Sequence, residues 1–252
     1  MLINIKNVDI NYIQYGNKKG KNLILLHGWK QNIEMMMPIG NRLKDDYYIT
    51  IIDLPGHGES SEPNVPWTLF DYVEALKLII KQLKIKNPSL LGHSFGGRIS
   101  IIYAAKNKID KLILCASPYR KKQNIKFFVK LKMKFLKFLK KVPFLKPFEN
   151  WAKNKIGSRD YKAASPVMKK ILVNTVNEDL TEYAKLIKSP TILIWGTNDQ
   201  EAPYSEGINL NNLIKDSAII EYKNNSHFAY LENTIKTVNI IKSLIGKEDK
   251  ND

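Results

Sequence analysis

Short apolar runs bounded by Gly, Pro or Asn recur along this chain, and stretches with helical periodicity separate them. Strands that alternate with helices in this way return to a common starting edge, so they build a mostly parallel sheet with helices on both faces. The spacing predicts strands near 2–6, 9–15, 22–26, 47–53, 88–93, 110–115, 191–196 and 217–222, a sheet of eight. The first two are close enough to form an antiparallel hairpin. Helices near 68–85, 95–107, 203–214 and 232–245 supply crossovers. The fold class read from this pattern is α/β.

One interruption breaks the rhythm. From Pro118 to Ser189 no strand signal occurs, while 126–142 and 166–178 read as helices. This predicts a helical insertion, 118–189, between core segments 1–117 and 190–252. The formal charge of +16 is concentrated there, because Arg120 and ten lysines fall within 119–147 without one acid, which takes eleven charges and leaves +5 elsewhere. Basicity confined to one segment argues against nucleic acid as a partner. Within 126–142, Lys126, Lys130, Lys134, Lys137 and Lys141 repeat at helical intervals, and Phe127, Leu131, Phe135, Phe138 and Val142 take another face. The favoured reading is a helix whose apolar face covers a pocket. Contact with an acidic membrane surface is less favoured, since lysine runs on helices are mostly solvated.

The start MLINIKNVDI reads as a strand and not as a targeting peptide, and no apolar run has membrane-spanning length. A single cysteine, Cys115, closes the apolar run KLILC and permits no internal disulfide, so a cytoplasmic protein with a buried thiol is expected.

The chemistry lies in GHSFGG, residues 92–97, which follows the apolar stretch NPSLL and precedes the helical stretch RISIIYAAK. A serine on a strained strand-to-helix turn is exposed above the sheet edge, and glycines flank it where side chains would strike neighbouring backbone. Ser94 is thus the candidate nucleophile. Asp199 follows the strand TILIWG, and His227 follows the strand SAIIEY, so both lie past carboxyl ends of strands, where ligand sites of open α/β sheets gather. A serine hydroxyl needs a base to take its proton, imidazole titrates near neutrality, and a carboxylate fixes the imidazole tautomer. Among four histidines only His227 comes after Asp199. Glu201, two residues beyond Asp199, is the competing carboxylate; Asp53 reads as holding a turn and Asp179 as solvent-facing. HGW, residues 27–29, ends another apolar strand at the place where a second oxyanion donor is needed, which assigns the two donors to the backbone N–H groups of Trp29 and Phe95.

HGW, DLPGHGES, GHSFGG, WGTND and NSHF together resemble the α/β-hydrolase superfamily in order and spacing, over nearly the whole chain except the insertion. The resemblance implies the α/β-hydrolase fold, the triad Ser94, Asp199 and His227, and a cap between the sixth and seventh core strands, where 118–189 falls. Ser94 stands where haloalkane dehalogenases and epoxide hydrolases carry aspartate, and HGWKQN does not resemble the HGGPG of proline iminopeptidases. The HGW turn is similar to that of small carboxylesterases; GHSFGG is also similar to the elbow of carbon–carbon hydrolases, whose glycine-rich oxyanion turn is missing. The expected activity is hydrolysis of a small-molecule carboxylic ester with an apolar acyl group, with no metal or organic cofactor. Carbon–carbon hydrolysis of ring-cleavage products and ligand sensing with little turnover are the alternatives.

Overall fold

The computed structural model describes residues 1–121 and 164–246. The strands are β1 (Leu2–Ile5), β2 (Val8–Gly16), β3 (Lys21–Leu26), β4 (Tyr47–Ile52), β5 (Ser89–His93), β6 (Leu112–Cys115), β7 (Thr191–Gly196) and β8 (Ser217–Tyr222). The described helices are α1 (Ile33–Leu43), α2 (Leu69–Gln82), α3 (Phe95–Lys106), α4 (Pro166–Asn177), α5 (Thr181–Lys185), α6 (Tyr204–Asn211), α7 (Ala229–Glu232) and α8 (Thr234–Ile245). The eight strands form one sheet in the order β1-β2-β4-β3-β5-β6-β7-β8. The β1–β2 and β2–β4 pairs are antiparallel, and all others are parallel.

Period-two alternation divides the core into two layers. Ile24, Leu26, Leu90, Leu112, Leu114, Leu193 and Trp195 face one side, with α2, α3, α4, α5 and α6. Leu23, Leu25, Ile49, Ile51, Leu91, Ile113 and Ile194 face the other, with α1, α7 and α8. Central strands are therefore apolar at successive positions because both faces are covered. α3 is buried almost all round from Phe95 to Ala104, while α2 is amphipathic and starts with a reciprocal Thr68–Asp71 capping box.

The predicted strands match closely, but β6 starts at Leu112 and not at residue 110, because Asp110 and Lys111 belong to the turn leading into it. The sequence reading assigns no helix between the strands at 22–26 and 47–53; the structure places α1 there. Its interior Pro38 removes a backbone donor and disguises the helix, yet Ile33, Met36, Ile39 and Leu43 keep the three-and-four spacing of a buried stripe. The predicted amphipathic stretch 126–142 lies outside the described residues. The predicted 166–178 helix is α4, and its Met168 and Ile171 join the core layer of α2 and α3. Among the described residues no helix is long and apolar enough to cross a membrane.

Candidate active site

β5 runs into α3 without a linker, and Ser94 is the residue between them, at φ 49° and ψ −106°. A non-glycine residue in that region costs of order 1–3 kcal/mol and persists only where its surroundings hold it. They do so through Ser94 N–H, which donates to Cys115 O at 3.0 Å, and Gly96 N–H, which donates to His27 O at 3.1 Å. A Cβ on Gly92 would lie 2.6 Å from Gly96 O, and one on Gly96 would lie 2.4 Å from Leu26 O. Both contacts are with backbone, so the two glycines are steric requirements of the turn.

The candidate acid and base sit on adjacent loops past β7 and β8. A Cβ on Gly196 would come within 2.3 Å of Asn225 O and Ser226 O, and Asn198 N–H donates to Asn225 O at 2.9 Å, so the loops are in backbone contact. Asp199 Oδ2 accepts the Nδ1–H of His227 at 2.8 Å, both residues being buried. Asp199 Oδ1 accepts from the N–H groups of Glu201 (2.8 Å) and Ala202 (2.9 Å). Trp195, wholly buried, holds the same loop by donating its Nε1–H to Ala202 O at 2.7 Å. A carboxylate held by two backbone donors keeps its orientation, and its other oxygen places the imidazole proton on Nδ1. Nε2 is then the basic nitrogen.

His93 brings the elbow to the histidine loop. Its ring centroid is 4.8 Å from that of His227, and its Nε2–H donates to His227 O at 3.1 Å. Complete burial, followed by the neighbouring His227, holds the His93 pKa well below the usual histidine range, so it serves as a neutral spacer. No hydrogen bond among the described residues joins Ser94 Oγ to His227 Nε2. That nitrogen has Glu201 Oε2 at 3.6 Å. Sequence spacing named both carboxylates; the structure gives Asp199 to Nδ1 and puts the more exposed Glu201 beside Nε2.

The HGW turn lies against the elbow. Gly28 N–H donates to Gln31 Oε1 at 2.9 Å, and the Trp29 and Phe95 rings meet edge to face at 5.3 Å. His27 is fully buried, donates Nδ1–H to Gly28 O (2.7 Å) and accepts Leu54 N–H on Nε2 (2.9 Å). Burial first, and then the nearby His57, pushes its pKa down to about 4. Asp53 acts as a turn-holder: Oδ1 accepts Ile33 N–H at 2.7 Å, and Oδ2 accepts Glu59 N–H and Asn11 Nδ2–H at 2.9 Å. Asp179 is exposed. Among the described residues no group of three or more His, Cys, Asp or Glu could hold a metal ion.

A serine on a strained strand-to-helix turn, over a mostly parallel eight-stranded sheet and beside an Asp–His pair from the last two strand ends, is the architecture of an α/β hydrolase. The sequence profile of the α/β-hydrolase fold matches residues 21–148. The AB hydrolase superfamily protein YisY of Bacillus subtilis is 30% identical over 251 residues, covering 90% of this chain and 91% of that protein. This chain belongs to the α/β-hydrolase family. Lipase 1 of Psychrobacter immobilis is 27% identical over 92% of this chain and 79% of its own length. The solved structure of the esterase EaEST from Exiguobacterium antarcticum superposes with a TM-score of 0.73 at 22% identity, covering 95% of this chain and 96% of that one.

Proposed function

We propose that the chain is a serine esterase that cleaves a small carboxylic ester through an acyl-enzyme, with Ser94 as nucleophile, His227 as base and Asp199 as orienting acid. The observation that carries this reading is the 2.8 Å bond from His227 Nδ1–H to Asp199 Oδ2, beside a serine at positive φ on the same sheet edge. Ser94 Oγ attacks the ester carbonyl and passes its proton to His227 Nε2, which delivers it to the leaving alcohol. Water, deprotonated by the same nitrogen, then releases the acid and restores Ser94. As substrate fills the site, the hydroxyl–imidazole bond forms, as catalytic bonds commonly tighten only in the complex. The Trp29 and Phe95 N–H groups take the oxyanion; each such donor contributes about 3–4 kcal/mol to the barrier reduction.

The names of two similar proteins, a lipase and an esterase, favour an ester over other carbonyl substrates. Residues 118–189 act as the cap over the acyl pocket and the lone buried Cys115 fits a cytoplasmic setting. A fluorophosphonate probe labels Ser94, established by peptide mapping, and a panel of aryl and alkyl esters graded by acyl length gives turnover that Ser94→Ala lowers by several orders of magnitude. Wild-type protein that neither labels nor hydrolyses any of these esters overturns the proposal, as does full activity in Ser94→Ala.

A further inference from the structure

Arg98 lies one helical turn beyond Ser94, bonded to it through Arg98 N–H to Ser94 O at 3.1 Å, and only 4% of it is exposed. Its guanidinium is committed to three backbone carbonyls from two distant stretches of chain. Nη1–H donates to Pro118 O at 2.7 Å, and Nη2–H donates to Thr175 O at 2.9 Å and Glu178 O at 2.6 Å. Thr175 and Glu178 are at the C-terminal end of α4, where helix carbonyls lack partners and the helix dipole is negative. Burial pushes the arginine pKa down to about 10, which leaves it a cation at neutral pH. A planar fork can reach three carbonyls at once; a lysine ammonium on a flexible stem cannot hold the same geometry.

The other end of α4 rests on the turn behind the oxyanion loop. Ser165, its N-cap, donates Oγ–H to Glu62 Oε2 at 2.7 Å. Met168 is buried against Gly56, where an added Cβ would lie 2.4 Å from its Sδ. The next residue, His57, packs its ring against Trp29 at 4.7 Å and Phe95 at 5.9 Å. A closed circuit thus runs from the nucleophile helix through Arg98, α4, Met168 and His57 back to the two residues whose backbones are the proposed oxyanion donors.

We propose that Arg98 is a positioning residue for ester hydrolysis: by anchoring the end of α4 to α3, it seats Met168 on the Gly56 turn and thereby holds the Trp29 and Phe95 donors at the spacing the transition state requires. This rests on the assignment of Ser94 and the oxyanion pair made above. Arg98 and Met168 engage opposite ends of α4, about 10 Å apart along its axis, a separation at which independent effects add. In a double-mutant cycle of Arg98→Met and Met168→Ala, kcat is measured per site titrated with fluorophosphonate, well below the melting temperature. Each single substitution lowers kcat about tenfold with KM within about twofold, as misplacement of a stabilising group does. The double variant loses little more than the worse single, and Arg98→Lys recovers part of the loss. Additive losses, about a hundredfold in the double, or a rise in KM at unchanged kcat, overturn the proposal. Hydrogen exchange over residues 53–62 follows the mechanical link without catalysis: it speeds up in each variant, and unchanged exchange in Arg98→Met overturns the link even if Ser94 proves not to be the nucleophile. Should Arg98→Met fail to fold, Arg98→Lys takes its place in the cycle with a smaller loss of its own: a double variant little worse than Met168→Ala supports the link, and additive losses or unchanged exchange over residues 53–62 overturn it.

Discussion

Acidification destabilises this protein through His27. The ring is fully buried, with Nδ1–H committed to Gly28 O and the Nε2 lone pair committed to Leu54 N–H. A second proton has only Nε2 to occupy, and adding it there breaks the bond that ties the HGW turn to the loop after β4. The folded pKa of about 4 lies below the ordinary histidine value of 6.5, so between these values the unfolded chain binds more protons than the folded one, and stability falls as pH falls. The contribution is whole above about pH 6.5, is lost progressively below it, and levels off near pH 4. For a difference of that size one histidine removes about 2 kcal/mol by pH 5 and about 3 kcal/mol at the limit. Against a urea slope of about 2–3 kcal/mol/M, the pH 5 loss lowers the unfolding midpoint by a little under 1 M. His57 and His93 have pKa values shifted down mainly by burial and add losses of the same sign. Urea titrations of wild type and His27→Gln at pH 7.5 and pH 5 isolate the His27 share, because glutamine retains an acceptor for Leu54 and does not titrate. The variant is less stable at pH 7.5 but loses about 2 kcal/mol less on acidification. Equal losses in both proteins would refute the reasoning.

Three further outcomes are expected. Gly96→Ala drives a methyl into Leu26 O and His27 O, prying the elbow from the HGW turn; it costs about 2 kcal/mol or more in chemical denaturation and lowers hydrolase activity further than stability explains. Asp199→Asn keeps an acceptor for the Glu201 and Ala202 N–H groups but loses the carboxylate that fixes the His227 tautomer, so kcat falls about 10³–10⁴-fold with little change in melting temperature; activity within tenfold of wild type would pass the orienting role to Glu201. Cys115 is buried and its thiol pKa is raised by burial, so a thiol reagent leaves the native protein unmodified and reacts after denaturation; reaction in the native state would refute the burial.

The alternation of apolar runs with helical stretches placed all eight strands, because central parallel strands covered on both faces must be apolar at successive positions. The GHSFGG context marked Ser94, since a strained turn that tolerates no side chains at positions 92 and 96 leaves glycines in the sequence. Chain order past the last two strands marked Asp199 and His227. The helix α1 was hidden by Pro38 within it, and its stripe becomes evident only against the face of β3 and β4 that it covers. Local sequence holds no record of which carboxylate meets which imidazole nitrogen, because that follows from how the loops past β7 and β8 cross at Gly196. The same is true of the His27 bond to Leu54 N–H and of Arg98, whose partners are backbone groups remote along the chain. Backbone acceptors are alike in every residue, so no spacing of side-chain types announces such bonds, and folding alone selects them.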